Sequence, residues 1–191
     1  MKGVFFTGPA AVRLYDDHVD AVHRYLTRRL GVEHAIPLVG ETFVIAVSGE
    51  GPPNNTAEME RSWLLGIATG LLHRHDDVEE ERLAAWAADG TARDAADPLL
   101  ETVAADSETA VMRAAATLRP DDRDLLFLTV WEGYPTQTAA RVVGLSTGAT
   151  SSALKRVRRE LRKRAATVSK NTRRSPTPDD PGLRPSGEET S

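Results

Sequence analysis

The stretch Ser146–Arg164, "STGATSSALKRVRRELRKR", opens on a helix-capping residue and ends in dense positive charge, within a 191-residue chain whose formal net charge is −4. Placed on a helix, Thr150, Leu154, Val157 and Leu161 recur at three- and four-residue steps and form one face. Ser151, Ser152, Lys155, Arg156, Arg159 and Arg162 spread over the remainder. The spacing therefore predicts a helix that packs on one side and shows cations and small hydroxyls on the other. The Ser146 hydroxyl can accept from the unpartnered backbone N–H groups of the first turn. Just before it, "TQTAARVV" reads as a short helix whose Ala139 and Ala140 allow a close crossing, and Gly144 permits the turn between the two. Helix, tight glycine turn, helix is a helix-turn-helix. The second helix of that motif lies in the DNA major groove with its N-terminal half against base edges. Ser146, Thr147, Ser151, Ser152 and Lys155 stand in that half, and Arg156, Arg159 and Arg162 are expected on phosphates. A charge run alone reads as a solvated face. Here the cap, the glycine turn and the small-residue partner helix together favour nucleic-acid binding.

Upstream of this motif, "ETAVMRAAATL" reads as a helix ending before "RPDD". "DRDLLFLTVWEG" reads as another, with acids in its first turn and Gly133 past its end. Working further back, the stretch Asp76–Ser107 is rich in Ala, Asp and Glu, and its charge is opposite to that of the basic helix. A helical piece around Leu83 and Trp86 gives way there to a linker. In the N-terminal part, "AVRLYDDHVDAVHRYLTRRLG" carries Val12, Tyr15, Val19, Val22, Leu26 and Leu30 on one face, with Arg28 and Arg29 before the stop at Gly31. "IPLVGETFVIAVSG" is short and mostly apolar, and periodicity does not separate strand from helix there; Pro37 could start a helix. Thr56 can cap a helix through "AEMERSWLLGIATGLLHRH", with Trp63, Ile67 and Leu71 at four-residue spacing.

The expectation is an all-α fold of two small helical domains: residues 10–90, an acidic linker 91–107, a helix-turn-helix domain 108–167, and a polar, Pro-rich tail 168–191 with little to bury. Aromatics make up only 5% of the chain, so the core must rest mainly on Ala, Leu and Val, which suits helices. There is no cysteine, and so no disulfide framework, thiolate nucleophile or Cys-based zinc site. No run approaches the ~20 apolar residues of a membrane span, and "MKGVFFTGPAAV" is too short in its apolar part for a signal peptide. The expected location is the cytoplasm.

The segment "LRPDDRDLLFLTVWEGYPTQTAARVVGLSTGATSSALKRVRREL" resembles region 4 of bacterial sigma factors of the extracytoplasmic-function (ECF) type. The matching features include Asp122-Arg123, Trp131-Glu132-Gly133, Gly144-Leu145-Ser146, Ser152, Leu154 and Arg156. The N-terminal half is similar to region 2 of that family: "LYDDHVDAVHRYLTRRLG" to its opening helix, "ETFVIA" to its core-binding segment, and "RSWLLGIATGLL" to the helix that reads the downstream promoter element. The resemblance implies a promoter-specificity subunit that uses no cofactor and catalyses nothing. Glu41, Thr42 and Phe43 would touch core RNA polymerase, and the basic helix would bind upstream promoter DNA. An anti-sigma protein is a further partner that the resemblance allows. A second reading comes from Ile45, Val47 and Ser48, which stand where the family commonly carries Arg and an aromatic–basic pair. Aromatics and cations hold an unstacked strand. Without them the chain could be a helix-turn-helix regulator whose first domain serves protein interaction.

Other constellations point to packing or solvent. "HRHDD" at His73–Asp77 puts two histidines two residues apart, off a common helix face and without a spaced partner motif, so no metal site is expected. Glu79–Glu81 read as a solvated acidic face, Trp63, Trp86 and Trp131 as packing residues, and no catalytic constellation emerges.

Overall fold

The computed structural model describes residues 8–52, 56–89 and 111–172. Among these the chain is all-α, with no strand. The helices are α1 (Gly8–Leu30), α2 (Val32–Ser48), α3 (Ala57–Leu72), α4 (Asp76–Asp89), α5 (described over 111–115), α6 (Pro120–Val130), α7 (Thr136–Val142) and α8 (Thr147–Thr172). A single 3-10 turn, His73–His75, joins α3 to α4.

The ambiguous apolar run is helical. Gly31 takes a φ of 82°, open to glycine at little cost, and its carbonyl accepts from Ala35 N–H at 3.0 Å, so α2 starts at once after α1. Pro37 lies inside α2 rather than at its start. Ala35, Leu38, Val39, Thr42, Phe43 and Ala46 turn inward at three- and four-residue steps. Thr56 caps α3 as expected, its hydroxyl accepting from Met59 N–H at 3.3 Å.

The buried stripe of α1 differs from the expected one. Val12 and Tyr15 are exposed, whereas Leu14, His18, Val22, Tyr25, Leu26, Arg29 and Leu30 are buried. Val22, Leu26 and Leu30 belong to both stripes, and Val19 packs against the core; toward the N-terminus the buried face turns to Leu14 and His18. Two polar residues, His18 and Arg29, belong to the core face.

The two expected domains share one core. Leu125, Leu128, Tyr134, Ala139 and Ala153 from the C-terminal half join Leu14, Tyr25, Leu64, Leu65 and Ala68 of the N-terminal half in one apolar cluster. A second cluster under α8 gathers Leu83, Met112, Ala115, Leu126, Phe127 and Val157, so it too draws on both halves. The helix α3 packs on α7, where an ideal Cβ at Gly66 would sit 3.6 Å from the Val142 carbonyl oxygen. The linker 91–107 and the Trp86 side chain lie outside the described residues. Helix α8 continues to Thr172, past the expected domain end at Thr167, and residues 173–191 lie outside the described residues.

Candidate nucleic-acid interface

The helix-turn-helix is assembled by backbone hydrogen bonds that the glycine turn makes possible. Gly144 adopts a φ of 70°, and Leu145 N–H donates to the Ala140 carbonyl at 2.8 Å. Ala139 and Ala140 are buried where α7 meets its neighbours. Ser146 then starts α8: its hydroxyl accepts from Ala149 N–H at 3.3 Å and its carbonyl from Thr150 N–H at 2.8 Å.

Around α8 the residues sort cleanly. Thr150, Ala153 and Val157 are buried, and Leu154 and Leu161 are half-buried. On the opposite side Ser151, Ser152, Arg158, Arg159 and Arg162 lie within about 60° of Lys155, at about 100° per residue. All of them are exposed, as are Ser146 and Thr147 at the helix start. Among the described residues no ion pair engages Lys155, Arg158, Arg159 or Arg162. Cations without internal partners, on a face turned away from the core, suit a polyanion. Arg158 falls on this stripe and was missed in the sequence reading, although its place three residues after Lys155 is signal enough.

Arg156 is placed differently. It stands about 100° round from Lys155, toward α6, and grips the buried Asp122 carboxylate with Nε and, at 2.6 Å, with Nη2. The hydrogen bond it donates to Asp122, outweighing desolvation, raises the pKa of this guanidinium. Its geometry is that of a brace between α6 and α8, not of a free phosphate contact.

Of the residues expected on polymerase, only Glu41 is exposed, where it accepts from Arg74 at 2.5 Å. Thr42 is fully buried and gives its hydroxyl to the Leu38 carbonyl at 2.7 Å. Phe43 is buried against Tyr15, with ring centroids 4.9 Å apart. Both side chains are core, because α2 turns this side of its helix toward α1. Beside them Ile36, Val44 and Ile45 stay exposed on α2.

The least expected feature lies between the halves. Arg29, with a fully buried side chain, reaches Glu79 through Nε and through Nη2 at 2.9 Å, and its Nη1 donates to the Tyr25 hydroxyl at 2.8 Å and to Asp124. Glu79 also accepts from Arg123 at 2.8 Å, and Asp124 from His73 Nε2 at 2.6 Å. The Arg29 guanidinium sits 5.1 Å from the centre of the Phe127 ring. Burial works to raise the Asp124 carboxyl, but the Arg29 charge and the hydrogen bond from His73 outweigh it and hold Asp124 below the usual carboxylate range. The Tyr25 hydroxyl is pushed up to about 12 by burial. A second ionic bridge joins Glu132, which follows Trp131, to Arg61 of α3, with Arg28 of α1 at 3.6 Å. Trp131 stacks on Phe127 at 4.2 Å and lies under Arg28. Glu79 is thus no part of a solvated acidic face; only Glu80 and Glu81 are exposed. His73 is committed to Asp124.

An exposed basic stripe on the second helix of a glycine-turned pair, carried by an all-α chain, defines a helix-turn-helix DNA-binding protein. Residues 108–161 match the family described as Sigma-70, region 4. The chain is also 30% identical over 143 residues to the ECF RNA polymerase sigma factor BldN of Streptomyces coelicolor, covering 72% of this chain and 53% of the relative. It thus spans about half the length of the curated relative it matches. That likeness runs well beyond the region 4 segment, and over it the chain is similar to the ECF type of the sigma-70 family. No described helix is long and apolar enough to cross a membrane.

Proposed function

We propose that the chain is a cytoplasmic promoter-specificity factor that binds core RNA polymerase and directs transcription initiation without catalysing any step itself. In this reading the domain of α1–α4 serves core polymerase and the downstream promoter element, and the domain of α5–α8 reads the upstream element as duplex. Ser146, Thr147, Ser151, Ser152 and Lys155 face base edges, and Arg158, Arg159 and Arg162 face phosphates. Glu41 is the polymerase contact available on α2, with Thr42 and Phe43 shaping that helix from beneath. The observation that carries the reading is the α8 stripe, opposite the buried face, within the segment that matches region 4. No cofactor is required, and an anti-sigma protein fits the same scheme as a competitor for core polymerase.

The test is run-off transcription with core polymerase on the DNA upstream of the chain's own coding region, as duplex and with a pre-melted bubble, alongside a binding assay for core polymerase. Initiation on duplex is expected. Loss of core binding together with silence on both templates would overturn the reading. That outcome would favour a helix-turn-helix regulator, for which the uncharged residues Ile45, Val47 and Ser48 on α2 speak.

A further inference from the structure

We infer that residues 2–6, "KGVFF", form a strap that packs on an apolar patch at the end of the α1–α2 hairpin remote from Gly31. The inference goes beyond the sigma reading and stands without it. The patch consists of described residues. Val12 and Val44 are each 61% exposed and Tyr15 is 45% exposed, although all three are large hydrophobic side chains. Tyr15 lies on Phe43, with ring centroids 4.9 Å apart, and Val44 follows Phe43 on α2. The three therefore gather where the start of α1 meets the end of α2. Large hydrophobic side chains left bare together mark a binding surface, unlike the single ones scattered over any protein.

Residues 1–7 precede Gly8, the first residue of α1, so they join the hairpin about one helical turn from Val12. An extended chain running back along α1 covers about 3.3 Å per residue, against about 1.5 Å per residue for the helix. In that register Phe6 comes level with Val12, at roughly 6 Å from Gly8, and Phe5 with Tyr15, at roughly 10 Å. Lys2, at about 20 Å, comes level with Asp20, at about 18 Å. The exposed Asp16 and Asp20 stand about 40° and about 80° round α1 from Val12. Among the described residues no ion pair engages either, whereas Asp17 already holds Arg13 at 3.0 Å. Reach, apolarity and charge thus agree on one occupant: two phenyl rings for the bare patch and a cation for two free acids.

The tyrosines of the chain read the strap directly. Tyr25 and Tyr134 are buried, so with the patch bare Tyr15 is the tyrosine that reacts. Hydroxyl-radical labelling of the free, full-length chain, mapped by mass spectrometry, follows each ring separately. In the parent Tyr15 should be protected. Phe5→Ser/Phe6→Ser should raise its labelling rate about fivefold, equivalent to ~1 kcal/mol of closure, with Tyr25 and Tyr134 unchanged. Lys2→Glu should raise the rate in the same direction, and Lys2→Arg should hold it at the parent's value. All three variants lie outside the buried core, and circular dichroism should show the parent's helix content in each.

A parent whose Tyr15 labels as fast as that of Phe5→Ser/Phe6→Ser would overturn the strap. Protection that fades as the protein is diluted would overturn it too, because a second copy would then be the cover. Lys2→Glu behaving like Lys2→Arg would overturn the pairing with Asp16 and Asp20. The labelling is read without polymerase or DNA, so failure of the strap and failure of the sigma reading are distinguishable.

Discussion

Replacing Arg29 by Met tests the central claim about how this fold holds together. The side chain is wholly buried and serves Glu79, Asp124 and the Tyr25 hydroxyl at once. Methionine nearly fills the volume but removes the charge and every donor. Glu79 keeps Arg123 and Asp124 keeps His73, so neither acid is wholly orphaned. Removing one partner of a buried pair costs about 3–5 kcal/mol, and the surviving partners put the expected loss near the lower end. For a chain of this size that is a fall of roughly 6–12 °C in melting temperature, at about 2–4 °C per kcal/mol.

The assay is urea and thermal denaturation followed by far-UV circular dichroism. The decisive comparison is the triple variant Arg29→Met/Glu79→Gln/Asp124→Asn. If the loss comes from stranded charge rather than lost packing, neutralising the acids restores most of it, to within about 1–2 kcal/mol of the parent, because a neutral set is often no worse than a buried ionic one. The amide introduced at position 79 can still accept from Arg123. A single variant within about 1 kcal/mol of the parent, or a triple variant less stable than the single, would refute the reasoning.

The imidazole of His73 is held above its ordinary 6.5 by its hydrogen bond to Asp124, against the opposing effect of partial burial. A group whose pKa is higher folded than unfolded lends stability in full below its unfolded value and loses it as the pH rises through the folded one. The urea midpoint of the parent should therefore fall more steeply than that of His73→Gln between about pH 6 and about pH 8; parallel curves would remove His73 as a stabilising partner of Asp124. On α8, Arg158→Ala and Arg159→Ala should each lower the salt slope of duplex binding by about 0.9. Arg156→Ala should lower the melting temperature with the slope unchanged, since that guanidinium is already spent on Asp122, and filter binding across a salt series reads the difference. Phe43→Ala should cost about 3–5 kcal/mol of stability. Glu41→Ala should leave the melting temperature unmoved and weaken capture of core polymerase in a pull-down.

The elements that sequence made legible are those whose chemistry is local. A cap at Ser146 or Thr56 needs only a hydroxyl before a helix, and Gly31, Gly133 and Gly144 take the positive φ that side chains avoid. Apolar periodicity found the buried side of α8 because its neighbours there are apolar too. On α1 periodicity caught Val22, Leu26 and Leu30 but missed the polar members of the stripe, His18 and Arg29, whose partners Glu60, Glu79 and Asp124 stand 42, 50 and 95 residues away. No window of sequence shows that an Arg in a helix-stopping pair will be neutralised by an acid from another helix. The same blindness made Glu79 look solvated and Arg156 look free. In each case composition told the charge correctly and the fold decided where it went.

That division bears on why the halves meet through ions at all. A buried salt bridge is poor testimony for stability, since a well-packed apolar set does as well or better. What ions supply here is a contact that discriminates. Asp124 and Glu132 meet Arg29, His73 and Arg61 of the other half only when these arrive in register, so a slipped docking of α6 or α7 leaves charges buried without those partners. Alanine-rich helices such as α7 carry little shape information of their own, and a purely apolar seam against α3 would tolerate several offsets. The ions remove that freedom. Core apolar residues such as Leu64 and Leu125 supply the attraction; Arg29 and its partners set which attraction is allowed.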